Sequence, residues 1–317
     1  MDLRLFLKVS LAGVLAAALA VGCGGDSEEG SGEALAEGQP VQVTATTTMI
    51  TDLVEQVGGD EVEVTGLMGP GVDPHTYRAS QGDVQALQEA DAVFYNGLFL
   101  EGQMQDLFID TAEQNPTVQV TEAVPEEQLL ESEDYEDQFD PHVWFDVEMW
   151  QTTVDPVVKQ LSELRPDAEE DFQQRGEEYR QELEELHSEV EEEISSIPEE
   201  DRVMVTAHDA FRYFGEQYGM QVEGIEGIST EGEAGSGDIQ EVADLVVENE
   251  VPAIFVEGSV PPQNIEAVQA AAQDRGWDVQ IADEELYSDA GGEEGSGAET
   301  YEGMVRANIE TIRGALT

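Results

Sequence analysis

The sequence predicts an α/β protein of two lobes, each a mostly parallel sheet of about four strands flanked by helices, the two joined by one long bracing helix. Three observations predict it. From Val41 onward, apolar runs of strand length alternate with segments of helical period. One amphipathic pattern, between Arg165 and Pro198, runs far longer than any other. After Pro198 the strand–helix alternation restarts, so each half offers about four strand–helix units. The expected boundaries are a first lobe over 40–164, a linking helix over 165–197 and a second lobe over 198–317, and 317 residues are enough for two such units.

In the first half, PVQVTATTTMI has period-two alternation and β-branched residues, and ITDLVEQVGGD then turns helical and closes on Gly58-Gly59. VEVTGLM is the second strand. A helix from about Ser80 to Ala90, the strand AVFYNG, a helix over Glu101–Glu113 and the strand TVQVTEAV follow. In the long helical segment Phe172, Tyr179, Leu183, Leu186, Val190 and Ile194 share one face while Glu and Gln crowd the others. Pro166 suits a first helical turn and Pro198 ends the segment. In the second half RVMVTAHDA, MQVEGIEGI, AIFVEG and DVQIADEEL read as strands, with helices near Phe211–Tyr218 and over Asp238–Glu248, Gln263–Arg275 and Glu299–Leu316.

The first residues do not belong to either lobe. Arg4 and Lys8 precede an apolar run from Val9 to Val21, too short to span a bilayer comfortably, so residues 1–23 read as a signal segment. Cys23, the one cysteine of the chain, stands where such a segment is cut, and LAVGC resembles a bacterial lipobox; Cys23 is therefore the expected lipidation point. One cysteine also rules out an intrachain disulfide. Residues 24–39, rich in Gly, Ser, Ala and Glu, read as a flexible tether. The chain is thus expected outside the cytoplasm, anchored to the cell membrane as a lipoprotein, in the periplasm if there is an outer membrane.

Charge excludes a further class of partner. Seventy-two acidic residues against twelve basic ones give a formal charge of −60, which opposes nucleic-acid binding because phosphate recognition needs a cationic surface. Such density resembles halophilic proteins, in which abundant salt screens self-repulsion.

Chemistry is carried by three of the four histidines. GVDPHTY and FDPHVW place His75 and His142 behind the same Asp-Pro step; proline restrains both itself and the residue before it, so each imidazole sits on a stiffened turn. His208 closes the strand RVMV, and Asp289 lies in a turn of LYSDAGG after the last strand. Alone, each is what an ordinary turn or helix start would carry. Together, three imidazoles and a carboxylate, all just past strand carboxyl ends where α/β sheets bind ligands, make a first shell for a divalent transition metal. Each half supplies two. His187, within the long helix, reads as solvated helix surface. Glu257 and Asp209 are candidates for orienting an imidazole by accepting its other N–H.

GVDPHTYRAS, FDPHVWFDVEMW, TAHDAFRYFGEQYG, GIST, FVEGSVPPQNIEAV and ELYSDA, in that order, closely resemble the TroA-like solute-binding receptors of bacterial zinc/manganese ABC importers. The resemblance runs from Val41 to the C-terminus. It implies two α/β lobes joined by a long helix, a metal clamped between them at His75, His142, His208 and Asp289, and delivery to a permease and its ATPase. Some manganese receptors of the family carry glutamate where His208 stands, and dedicated zinc receptors often have a histidine-rich acidic loop; Glu126–Gln138 is acidic without histidine.

The expected function is capture of zinc or manganese, or ferrous iron, by a monomer that is not an enzyme, with affinity falling below about pH 6.5 as imidazole is protonated. Other readings stay open. A metallohydrolase would need an open metal position and a general base, and HExxH is missing. A receptor for an organic or chelated ligand would want an aromatic or cationic cleft, whereas Tyr77, Trp144 and Tyr287 are few enough to be packing. A surface adhesin with a structural metal would carry the same residues.

Overall fold

Residues 38–132, 135, 138–232 and 234–317 are described by a computed structural model. The signal segment, Cys23 and the tether before Gly38 lie outside the described residues. The first half is one parallel sheet of β1 (Val41–Ala45), β2 (Val62–Gly66), β3 (Ala92–Tyr95) and β4 (Thr117–Gln119) in the order β2-β1-β3-β4. Helices α1 (Thr48–Gly58), α2 (Gln81–Glu89) and α3 (Gln105–Ala112) make the crossovers. Local chemistry starts two of them. Thr47 accepts the Ile50 N–H, and Ser80 with Asp83 forms a capping box, which makes Ser80 the cap of the expected helix.

Two expectations in this half are corrected. TVQVTEAV is strand only to Gln119 and continues as a 3₁₀ turn over Val120–Ala123, because the backbone N–H and hydroxyl of Thr121 both turn to the Asn96 carbonyl, at 3.4 and 2.6 Å. The helix expected over 101–113 begins as a 3₁₀ turn, Gly102–Met104, and is α-helical only from Gln105. Two helices were not expected: α4 (Val147–Trp150) and α5 (Val154–Leu164). In α5 the buried Val154, Val157, Leu161 and Leu164 form a helical stripe, with Pro156 tolerated in the first turn.

The long helix is α6 (Glu169–Ser195), 27 residues and about 40 Å, entered through a 3₁₀ turn at Pro166–Ala168. Its buried stripe is the expected one with Gly176 added. A Cβ on Gly176 would lie 2.6 Å from Val158, so glycine permits the close approach of α5 and α6.

In the second half, β5 (Val203–His208) pairs with β6 (Gln221–Glu226), and β7 (Ala253–Ile254) pairs with β8 (Gln280–Ile281), both in parallel. The four strands expected here are thus two short pairs. The Phe255 N–H bonds the Val205 carbonyl at 2.9 Å, which sets β7 beside β5 in the order β6-β5-β7-β8 without merging the two pairs into one sheet. Helices α7 (Arg212–Tyr218), α8 (Ser236–Glu248), α9 (Gln263–Asp274) and α10 (Tyr301–Leu316) complete it. In this order the first strand has crossovers leaving to both sides, and such a switch point opens a crevice at the carboxyl ends of β1 and β3, and again at those of β5 and β7.

One hydrophobic core is continuous from Val43 and Phe94 in the first sheet through Trp150 and Leu183 to Phe214 and Ile312 in the second half. Separate clusters fill the space between the second sheet and α8 and α9, around Val205 and Ile265, and the outer face of the first sheet, around Val93 and Phe108. The apolar stripe of α6 therefore braces both halves. Among the described residues no helix is long and apolar enough to cross a membrane.

Asp52 of α1, buried in this shared core, accepts the backbone N–H of Tyr301 at 3.0 Å. Burial pushes its carboxyl up to about 6 from 3.8. A raised folded-state value favours folding below the unfolded pKa, and that contribution is lost as pH rises through about 6. Asp52→Asn keeps a carbonyl acceptor for Tyr301 and removes the ionisation. The variant is expected to gain up to about 3 kcal/mol over wild type at pH 7 and nothing below pH 4, read from urea unfolding across that range.

Candidate metal centre

The two Asp-Pro-His steps build the same turn. Asp73 accepts the backbone N–H of His75 at 2.9 Å, and Asp140 that of His142 at 3.0 Å, the side-chain turn that aspartate closes two residues on. Beyond that they differ. Asp73 takes the hydroxyls of Thr76 and Thr230, at 2.8 and 2.7 Å. Asp140 Oδ1 takes the imidazole itself, 2.7 Å from Nδ1 of His142, and so aims Nε2 into the crevice.

His208 is the last residue of β5, and its backbone N–H and Nδ1 both reach Glu257, at 2.9 and 2.5 Å, just past the end of β7. Asp289 follows β8. Its Oδ2 accepts from the Ser259 hydroxyl at 3.1 Å, and the carbonyl of the preceding Ser288 is held by the indole N–H of Trp144 at 3.0 Å.

These elements bring His75, His142, His208 and Asp289 together, with one donor atom of each inside a group no wider than 4.8 Å. The Nε2 atoms of His75 and His142 are 3.3 Å apart; Asp289 lies 3.9 Å from His75, 3.6 Å from His142 and 3.5 Å from His208. Ligands about 2.0–2.1 Å from a tetrahedral ion stand roughly 3.4 Å from one another, so the spacing suits a first-row divalent metal. His142 and His208 are fully buried, and His75 and Asp289 are 4% and 1% exposed. Among the described residues, Nε2 of His208 and Oδ1 of Asp289 are buried without a hydrogen-bond partner. Buried polar atoms are rarely left so, and these two face the centre of the group.

Electrostatics couple the four. Burial pushes His75 down to about 3, against the pull of Asp289. Burial also opposes charge on His142 and His208, but adjacent carboxylates outweigh it: Asp140 and Asp289 raise His142, and Glu257 and Asp289 hold His208 well above the ordinary imidazole value. Asp289 is driven up by burial yet held well below the carboxylate range by the imidazoles, His208 foremost. The carboxylates around the imidazoles thus favour a positive charge at the centre of the group.

Glu257 stands where an imidazole-orienting carboxylate was expected; Asp209 does not. Its carboxylate lies 3.6 Å from the Arg212 guanidinium, and burial, then Asp140, push it up to about 7. The orienting carboxylate for His142 is Asp140, visible in the Asp-Pro-His motif itself but read only as a turn residue. Ser259 was missed, and no local signal marks it. His187 is not plain solvated surface: it is half-buried, its Nδ1 3.1 Å from the Tyr218 hydroxyl, far from the other histidines in role. Trp144 is buried with its ring 5.1 Å from that of His142, which makes it packing beneath the site.

A four-stranded parallel sheet and two parallel strand pairs braced by one helix, with a buried polar pocket past strand carboxyl ends, define the class of α/β ligand-binding receptors. The chain belongs to the family described as "ZnuA: Zinc-uptake complex component A periplasmic", whose profile matches residues 43–315. It is 46% identical over 307 residues to "Manganese-binding lipoprotein MntA" of Bacillus subtilis (strain 168), covering 96% of this chain and 98% of the relative. It is 45% identical over 287 residues to "Zinc-binding protein TroA" of Treponema pallidum (strain Nichols), covering 90% and 92%. The solved periplasmic zinc-binding protein TroA of that organism superposes with a TM-score of 0.85 over 88% of this chain and 99% of its own.

Proposed function

We propose that the protein captures a divalent transition metal, manganese or zinc, on His75, His142, His208 and Asp289 and hands it to an ABC permease and its ATPase. The observation that carries this is the buried convergence of three imidazoles and one carboxylate within 4.8 Å. The relatives support the same reading, since they are named for manganese and for zinc at nearly equal identity. The ion is cargo. Four protein donors around it leave no position for a water nucleophile, so the site binds rather than catalyses. Residues 40–164 and 198–317 act as the two jaws and 165–197 as their brace; the shared core keeps their relative movement small. A lipid on Cys23 holds the receptor outside the cytoplasm, beside its permease.

Protein purified without chelator is expected to carry or take up one equivalent of manganese or zinc by elemental analysis and competitive titration; no uptake of either sinks the reading. Protons compete for the same nitrogens. Because His142 and His208 are raised, that competition sets in above the ordinary imidazole value of about 6.5, higher than the sequence alone suggested. Affinity measured against a chelator should therefore still be climbing above about pH 6.5. A flat profile there would show that neither imidazole holds a proton in the free protein.

A further inference from the structure

Glu101 is a fully buried carboxylate that no step above uses. Its oxygens accept from the hydroxyl of Thr46 at 2.7 Å, the backbone N–H of Asn96 at 2.8 Å and that of Gly97 at 3.2 Å. All three donors are neutral, and burial pushes the carboxyl up. A charged group is costly to bury on such terms, so its surroundings must need it.

Each of its partners leads to the metal centre. Thr46 follows β1, and its carbonyl receives the N–H of Met68 at 3.0 Å, where the segment bearing His75 departs. Asn96 follows β3, and its side-chain amide donates to the carbonyl of Pro141 at 3.1 Å, the peptide that carries His142. Gly97 opens a segment in which three consecutive residues have positive φ: Gly97 at 89°, Leu98 at 52° and Phe99 at 66°. Residues with a Cβ avoid that region, so Leu98 and Phe99 must be held there from outside. Leu98 and Phe99, with Gln103, Ile228 and Glu231, line a cavity of about 220 Å³ that ends on His75. Phe99 is 56% exposed at its rim.

We propose that Glu101 is a positioning residue for the metal site: through Thr46 and Asn96 it fixes the backbones that present His75 and His142, and through Gly97 it holds the wall of the passage to His75. This rests on the capture reading above. Glu101→Gln keeps the size but turns its N–H₂ either toward Gly97 or toward Thr46 and Asn96, which share the other oxygen, so at least one of these ties is lost. Release of Mn²⁺ into excess chelator, followed by stopped flow, is expected to be at least tenfold faster than in wild type, and the visible d–d bands of the Co²⁺-loaded protein should shift. A folded variant with release within twofold of wild type and an unchanged Co²⁺ spectrum overturns the inference, even if it melts earlier. Asn96→Ala, which leaves Glu101 in place and cuts the side-chain ties to the carbonyls of Pro141 and Gly97, should also release faster with a shifted spectrum, and it alone decides should Glu101→Gln not fold. Wild type that binds neither ion overturns the capture reading and this inference with it; wild type that binds while both variants match it overturns only the latter.

Discussion

His208→Ala is expected to lower the affinity for manganese and zinc by roughly 100- to 1000-fold. Zinc bound by four protein ligands is worth roughly 10–16 kcal/mol, about 2.5–4 per ligand. Two further effects act in the same direction. The imidazole closes one side of a pocket in which Asp289 lies 3.5 Å from its Nε2, and without it Glu257 keeps only the backbone N–H of residue 208. His187→Ala is the matched control. Its ring packs on Tyr218, centroids 5.6 Å apart, so the variant should lose some thermal stability and bind both metals as wild type does. Isothermal titration of the two variants side by side measures the contrast, and equal losses of affinity would mean that His208 is no ligand.

Glu257→Gln has the second-largest expected effect, a 10- to 100-fold loss of metal affinity, the range found when a carboxylate supporting a ligating imidazole is removed. Glu257 accepts two N–H groups of His208, the backbone one and Nδ1, so an amide in its place must point a donor at a donor. If Glu257 acts through His208, the two substitutions cannot add. In a His208→Ala background, Glu257→Gln should cost no further affinity and should recover stability, because it removes a buried carboxylate that has lost its ring partner. Additive losses in that double-mutant cycle would place Glu257 in a role independent of the imidazole.

The elements that sequence reasoning found are those with strong short-range signals. The stripe from Phe172 to Ile194 is periodic enough to define α6, and the β-branched run after Pro40 defines β1. Helix α5 was overlooked because its stripe is short and interrupted by Pro156, and its helicity comes from packing against α6 at Gly176. TVQVTEAV has strand composition throughout, yet the bonds from Thr121 to Asn96 end the strand early, a contact across 25 residues that no window contains.

The four residues proposed as ligands stand out in the sequence for a local reason. Proline stiffens two turns, a strand end stops at His208, and a glycine-flanked turn holds Asp289, so chain chemistry alone put each donor at a strand's carboxyl end. Which carboxylate serves which imidazole was settled only by the fold. Asp209, next to His208 in sequence, turns to Arg212, while Glu257, 49 residues away, takes the ring. The chain leaves β5 after His208, so Asp209 faces Arg212 three residues on, whereas Glu257, just past the neighbouring β7, lies beside the ring. Glu101 shows the same division: its acidity is plain in the sequence, but only the crevice at the ends of β1 and β3 makes it a buried acceptor for Thr46, Asn96 and Gly97.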